Sequence, residues 1–424
     1  MSTTDALRGL TSQQRKTFLA SFLGWTLDAF DFFLVIVTVP HIAKDFHSAI
    51  KEVAVAVTIT LMLRPLGALI FGWFADRYGR RVPLMVDVAL YSVLELATAF
   101  SPNLTVFIVL RALYGIAMGG EWGLGAALAM EVLPAEKRGL FSGILQEGYA
   151  VGYLLAAVVL AVLYVHIGWR GMFMIGVLPA LLIFFIRRHV PESPAWLAGQ
   201  AQKIAQGPHP LLRAFKAQWP LFIYAILFMA AFNYMSHGTQ DLYPTFLTLQ
   251  HGFTPALVGT LTAIMNAGAI AGGVLFGWLS QRFGRRSMIM VCAALGVLLI
   301  PLWAFSQTAV MLAIGGFLMQ VAVQGAWGII PAHLNEISPQ EVRGTFPGFT
   351  YQLGNLISAN ALQLESAFAA EKFPLPSGHP DYAKAMAVVA LIVFAAILVL
   401  TAIGRFVTPE RREIAFAPAA TASE

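Results

Sequence analysis

Polar residues are sparse along this chain and gather in short clusters between long apolar runs. Twelve runs are long enough to cross a hydrocarbon core of about 30 Å, which takes roughly 20 helical residues. They cover 18–41, 52–75, 83–101, 105–131, 139–166, 169–188, 219–247, 256–280, 287–305, 309–334, 345–368 and 382–406. The pattern predicts an all-α polytopic membrane protein with 12 transmembrane helices. A polar stretch with Pro and Gln, 189–218, predicts a linker between a first six-helix bundle, 1–188, and a second, 219–424, which closes on a short tail. The first 17 residues are polar, and no small-residue cleavage site follows a short apolar core. The first run is too long for a signal peptide and predicts a retained helix.

The chain repeats itself at a constant offset of 205. Gly72-Trp-Phe-Ala-Asp76-Arg77-Tyr-Gly79-Arg80-Arg81 returns as Gly277-Trp-Leu-Ser-Gln281-Arg282-Phe-Gly284-Arg285-Arg286. The same offset carries Trp122 to Trp327, Glu131 to Glu336, Arg138 to Arg343 and Gly139 to Gly344. Such a repeat predicts two six-helix bundles related by a pseudo-two-fold axis along the membrane normal.

Composition agrees with the pattern. Of 424 residues 58% are hydrophobic and 12% charged, against about half and about a quarter in soluble proteins. The net charge of +5 invites a nucleic-acid reading. That reading fails, because the basic residues occupy short loops. With the N-terminus inside, twenty Lys and Arg fall on the inner side and five on the outer. This bias predicts both termini in the cytoplasm of a cell membrane, a bacterial inner membrane, and the chain is read as a monomer. One cysteine, Cys292, excludes an intrachain disulfide framework and reads as core filler.

The 72–81 loop resembles the signature of the major facilitator superfamily. Arg111-Ala-Leu-Tyr-Gly115-Ile-Ala-Met-Gly119-Gly120 resembles that family's fourth-helix motif. The resemblance implies alternating access of two bundles around one central site. Physically, Asp76 can face a helix N-terminus of the other half, and Arg80, Arg81 and Arg138 can pair with Glu131. Gly72, Asp76, Arg77, Arg80, Glu131 and Arg138 are therefore the candidate conformational switch, with topology anchoring as the alternative. Gln281 replaces Asp76 in the second copy, so the expected lock is asymmetric.

Asp28, Asp31, Arg64, Asp87, Glu95, Arg111, Glu121, Glu147 and Asp241 lie inside apolar runs. A charge near the bilayer centre must pair or face water. At about 1.5 Å per residue, Asp28 and Arg64 lie about 15 Å deep and Asp31 and Arg111 about 20 Å. The depths predict two acid–base sets, Asp28 with Arg64 and Asp31 with Arg111. Each either loads and releases a proton or is a permanent ion pair. Glu121 and Glu147 read as a second proton site or a protonated core pair, Glu95 and Asp87 as structural.

The seventh run carries the chemistry that singles out a cargo. Asn233, His237 and Asp241 share one helical stripe at i, i+4, i+8, with Gln240 and Thr245 beside it. A lipid-facing helix does not carry such a set, so the stripe lines a cavity, either as the site or as a water-filled vestibule. Asn233-x-x-Ser236-His237-x-Thr239-Gln240-Asp241-x-x-x-Thr245 resembles the signature of the Jen-type lactate/pyruvate:proton symporters, and the first run, Gly24 to Phe32, resembles the wider sialate and carboxylate symporter group. In the eleventh run, Gln352 and Asn355 resemble the polar pair of the Jen-type group.

The residues support that chemistry on their own. Arg64 offers a carboxylate a bidentate cation. Asn233, Gln240, Gln352 and Asn355 offer amides that donate and accept, and His237 titrates between pH 5 and 8. Asp28, Asp31, Arg111, His237 and Asp241 are the proton-coupling candidates, and Tyr149 and Tyr351 the candidates for enclosing a short carbon chain. The expected partners are a small organic acid, protons and the bilayer. The other cargoes are sialic acid, another sugar acid or a dicarboxylate, the last of which asks for a second central cation. A metal site lacks ligands beyond His237 and Asp241. Enzyme chemistry lacks a cofactor loop, and no cofactor is expected. No ATP-binding loop occurs, so an ion gradient must supply the energy. A nutrient receptor is disfavoured by the short Ala-rich tail after Arg412.

Overall fold

The computed structural model describes residues 9–205, 210–375, 380–411, 414 and 416, with the side chains of 200–205 and 210 excepted. The start of the chain, four linker residues and most of the tail after Arg411 therefore lie outside the described residues.

Seventeen α-helices are described. Those of the first half are α1 (Ser12–Asp45), α2 (Ile50–Tyr78), α3 (Arg81–Ala99), α4 (Leu104–Val132), α5 (Arg138–Gln146), α6 (Gly148–Ile175) and α7 (Ala180–His189). The linker forms α8 (Pro194–Ala205). The second half has α9 (Pro210–Gln240), α10 (Tyr243–Leu249), α11 (Pro255–Phe283), α12 (Arg285–Ala304), α13 (Ala309–Trp327), α14 (Ile330–Ile337), α15 (Phe346–Ser358), α16 (Ala361–Lys372) and α17 (Tyr382–Val407).

Ten helical stretches are long and apolar enough to cross a membrane. One of them, Ala135–His189, contains two crossings separated where Gly168 takes φ +63°. The eleventh crossing is divided between α15 and α16, so neither part reaches full length. The chain is an all-α polytopic membrane protein with twelve crossings. Its outer face carries large apolar side chains such as Phe184, Leu298 and Ile392, as lipid contact requires.

Local signals explain where helices start and stop. Thr11 and Gln14 form a reciprocal capping box at α1. Asn103, Thr254 and Thr308 each accept from a backbone N–H in the first turn they precede. Gly79 (φ +96°) and Gly284 (φ +104°) end α2 and α11 in the two copies of the repeated loop, a conformation that favours glycine.

The seventh crossing departs from the sequence reading. Its helix stops at Gln240 and restarts at Tyr243. Pro244, at the start of α10, cannot continue a backbone ladder, so the break falls just before it. Thr245 therefore lies on α10, off the stripe of Asn233 and His237.

Candidate functional site

At the end bearing the repeated loops, the two halves touch. Asp76 accepts from the backbone N–H of Gly344 (2.7 Å) and Thr345 (3.1 Å) and from the Thr345 hydroxyl (2.6 Å), at the N-terminus of α15. The repeat-related contact is Gln281, whose Oε1 accepts from the N–H of Gly139 (3.1 Å). Each half thus offers the same acceptor to the same place on the other. Only the first copy is charged. Gly72 packs on Thr345, where an added Cβ would come within 2.6 Å of the Thr345 Cα.

Behind each acceptor stands a two-pronged Arg–Glu pair. Arg80 reaches Glu131 through Nε (3.2 Å) and Nη2 (2.9 Å), and Arg285 reaches Glu336 through Nε (3.0 Å) and Nη2 (2.8 Å). Both pairs are buried. The other expected partners of Glu131 go elsewhere. Arg81 donates to the Arg187 carbonyl. Arg138 donates to the carbonyls of Met130 (2.9 Å) and Ile414 (2.6 Å), because its side chain turns to the seam between the halves. Arg77 is exposed and lies over the Trp73 and Tyr78 rings, outside the lock. Sequence reading missed Glu192 and Glu410, which accept from the N–H groups of Arg80 and Arg285 (2.6 Å each). Both follow a proline, which was the available signal.

In the same region the Phe416 ring is buried between two guanidiniums, Arg138 at 3.9 Å and Arg343 at 4.3 Å. These arginines are repeat mates, one from each half.

Towards the opposite end a cavity of about 430 Å³ opens between the halves. It runs from Arg64 and Asn233 out to Ile36, Val57 and Pro244. Of the sequence candidates, Arg64, Glu147, Tyr149, Asn233, His237, Gln240, Asp241, Tyr351 and Asn355 line it. Gln352 is fully buried with an unpartnered amide and is not among the lining residues; it sits one turn from Asn355, on the loop-end side.

On the second-half wall, His237 Nδ1 lies 2.8 Å from Asp241 Oδ2, and Asn355 is within bonding reach of the ring. Gln240 donates to Ser236 Oγ (3.1 Å) and Gln320 Oε1 (2.9 Å), and Gln324 donates to the same Ser236 (3.4 Å). Asn233 donates to the Met229 carbonyl (2.8 Å), leaving its amide oxygen for other partners. The two tenth-crossing glutamines share a stripe at i, i+4, the signal that marks Asn233 and His237, but it carries no charge, and sequence reading missed it.

Aromatic rings form the floor and one side. Trp25 stacks on Tyr149 at 5.5 Å. Tyr351 packs against both Trp122 (4.6 Å) and Trp327 (5.7 Å), a second case of one ring held by repeat mates. That pair was visible as a match at offset 205.

The buried charges of the first half are arranged differently from the predicted pairs. Arg111 bonds Glu95 at 2.5 Å, not Asp31. The antiparallel neighbours α3 and α4 bring Glu95 to the depth of Arg111, and depth alone had not separated the two acids. Asp28 and Arg64 form no ion pair either, although each lies in the other's electrostatic range. Asp28 and Asp31 are fully buried with unpartnered oxygens, and neither lines the cavity. Arg64 lines it while its Nε and Nη2 donate to nothing. Glu121 and Glu147 are not paired. Glu121 faces Gly24 of α1, and Glu147 faces Gly273 of α11. Among the described residues no group of His, Cys, Asp and Glu is arranged to hold a metal ion.

A family model described as Major Facilitator Superfamily matches residues 21–362 and again 230–421. The chain belongs to the major facilitator superfamily. Membership places it among membrane transporters, not enzymes. A carboxylic acid transporter protein homolog of Saccharomyces cerevisiae is 32% identical over 92% of this chain and 67% of its own length. A probable 4-methylmuconolactone transporter of Cupriavidus pinatubonensis is 29% identical over 95% and 92%. The sialic acid transporter NanX of Escherichia coli is 28% identical over 80% and 84%. The solved proton:xylose symporter XylE, bound to a bromo-deoxyglucose, superposes with a TM-score of 0.73 at 19% identity, over 96% of this chain and 98% of that one. At that identity the superposition speaks for the superfamily fold alone.

Proposed function

We propose that this chain carries organic acids across a cell membrane, and more finely that it is a proton symporter of short monocarboxylates such as lactate and pyruvate. The observation that carries the reading is Arg64, a buried cation on the wall of the inter-half cavity with no carboxylate in contact and with two donors, Nε and Nη2, that are covered in this shape and that nothing in the protein uses. A carboxylate supplies two acceptors in that geometry. The curated relatives named for carboxylic acid and sialic acid support an acidic cargo. In this reading Asn233, His237, Gln240 and Asn355 hold the second oxygen of the acid, and Gln352 supports Asn355 from behind. His237 with Asp241 carries protons at the wall. Asp28 and Asp31 answer to them from behind Arg64, with Arg111 held by Glu95.

The excess of Lys and Arg assigns the loop end and both termini to the cytoplasm, so the present shape opens outward. Residues 1–188 and 219–424 move as two bodies about the 189–218 linker. The contacts that Asp76 and Gly72 make with Gly344 and Thr345 break as the inner side opens, while Arg80 and Glu131, both of the first half, stay paired behind them.

Counterflow of labelled L-lactate in proteoliposomes, with and without an inward proton gradient, tests this reading. Gradient-dependent uptake of L-lactate or pyruvate is the expected result, and its absence would sink the monocarboxylate proposal. One observation favours a second cargo. A cavity of about 430 Å³ is lined by Trp25, Tyr149, Trp327 and Tyr351 and falls in the range of about 300–1,000 Å³ typical of larger organic ligands. A bulkier or unsaturated acid would fill it better, in keeping with the muconate and niacin transporters among the relatives. Competition of the counterflow by benzoate, muconate, nicotinate and sialic acid separates the two.

A further inference from the structure

Glu147 occupies a position that the site as described does not use. It stands at the junction of α5 and α6, where the fifth crossing changes course. Its side chain lines the cavity and is only 6% exposed. Its Oε1 has no hydrogen-bond partner. That oxygen lies over Gly273 of α11, in the opposite half, in space that any side chain at 273 would need. Gly143 of α5, in the first half, packs on the same glycine's backbone, so the seam is tight on its loop-end side.

The groups that face it are few. Arg64 of α2, His237 of α9, Asp241 just past its end, Tyr149 and Tyr153 of α6 and Tyr351 of α15 share its cavity, and none bonds to it. From α11 and α13 the lining is neutral, with Thr262, Asn266, Gln320 and Gln324 the polar members. Glu121 of α4 turns to α1 instead. A carboxylate in such a place lacks any counter-ion, and an isolated buried charge costs several kcal/mol. A proton removes that cost.

We propose that Glu147 is a proton-binding site on the seam, loaded from the cavity in this conformation and emptied to the loop end when Gly273 moves away. The inference rests on the proton-coupled reading above and adds a carrier to it. Arg64 holds the anionic cargo from one wall and Glu147 holds the proton on another, so the loaded cavity gains no net charge. When the halves part at the loop end, water reaches the Glu147 carboxyl and takes its proton. The cargo leaves from a cavity that now holds an uncompensated carboxylate, and repulsion between the two anions favours release.

Two measurements test it. The first is the infrared difference spectrum between wild type and Glu147→Gln, each purified and without cargo. We expect a protonated-carboxyl C=O band in wild type that the variant lacks and that fades as pH rises. No such band at any pH where the wild type transports would overturn the proposal. This readout does not need the cargo to be known, so it stands even if L-lactate proves to be the wrong acid.

The second uses L-lactate in proteoliposomes. One pH unit can concentrate a one-to-one symporter's cargo about tenfold. Wild type should approach that ratio, and Glu147→Gln should fall to about one while keeping exchange. Glu147→Asp should restore part of the accumulation. Wild-type accumulation by Glu147→Gln would overturn the proposal. So would a Glu147→Gln protein of unchanged Tm that loses exchange as well, since that marks a cargo contact. Failure of wild type itself to accumulate would count against proton coupling of lactate, a different result from either.

Discussion

Arg64 and Arg111 are both buried guanidiniums of the first half, and only Arg111 has a carboxylate in contact. This difference assigns them different fates on substitution. Arg64→Ala should weaken cargo binding by about 30-fold to several thousand-fold, the span of 2–5 kcal/mol for losing one member of a buried charged pair. Arg64→Lys keeps the charge but not the planar fork and should still lose about tenfold. Quenching of Trp25 and Trp327 fluorescence on adding the acid measures both. His237→Ala should cut gradient-driven uptake by about tenfold, or about 1.4 kcal/mol. Gln352→Ala, which lies behind the cavity wall at Asn355, should mainly weaken affinity and reduce gradient-driven uptake less than His237→Ala does. Equal loss in the two variants would contradict these roles.

The site was legible in part. Asn233, His237, Gln240 and Asp241 could be read because helical spacing puts polar side chains on one stripe. Ion-pair partners could not be read, since Arg111 had acids at matching depth on two helices and only packing chose Glu95. Gln320 and Gln324 carry the same i, i+4 spacing, and the tertiary structure adds that this stripe meets Ser236 and Gln240.

At the scale of elements, the halves meet chiefly where α11 packs on α5 and α15 on α2, with a repeated loop at the end of α2 and of α11. The crossings could be read because lipid demands long apolar helices, and the pairing of the halves because the offset of 205 recurs. The stop at Gln240 could not, because Asp241 and Leu242 fit a helix and Pro244 only restricts the residue before it. The acceptors of the two loops differ by one charge. Asp76→Asn should make the first copy resemble the second. It removes a charge from the N-terminus of α15, worth about 0.3–2 kcal/mol. The inner-open fraction should then rise by about 2- to 30-fold, since 1.4 kcal/mol is tenfold. Labelling of a cysteine at Ser142, which is buried where the halves meet, reports that fraction in a Cys292→Ser background. Gly72→Val should act in the same direction and more strongly, because its Cβ would strike the Thr345 backbone. Slower labelling in either variant would contradict the assignment of this contact to the closed inner side.

For the molecule as a whole, two single rings lie between repeat mates: Tyr351 between Trp122 and Trp327, and Phe416 between Arg138 and Arg343. A ring in contact with both members of a repeat pair lies close to the pseudo-two-fold axis, so one axis is filled at two levels. Tyr351 belongs to α15 and moves with its half. Phe416 belongs to the tail and must leave its place when Arg138 and Arg343 part. Each cation–ring contact is worth about 0.5–2 kcal/mol. Ending the chain after Arg411 should therefore raise Ser142-site labelling by about fivefold or more, with Phe416→Ala close to the same value. This position has a practical side. A purification handle fused to the C-terminus follows closely on the ring that sits in the seam, so a preparation that keeps the handle differs there from one in which it has been cleaved. The two preparations of one protein should then yield different proportions of the two shapes, and a ligand screen run on one of them would favour whichever compounds prefer that shape.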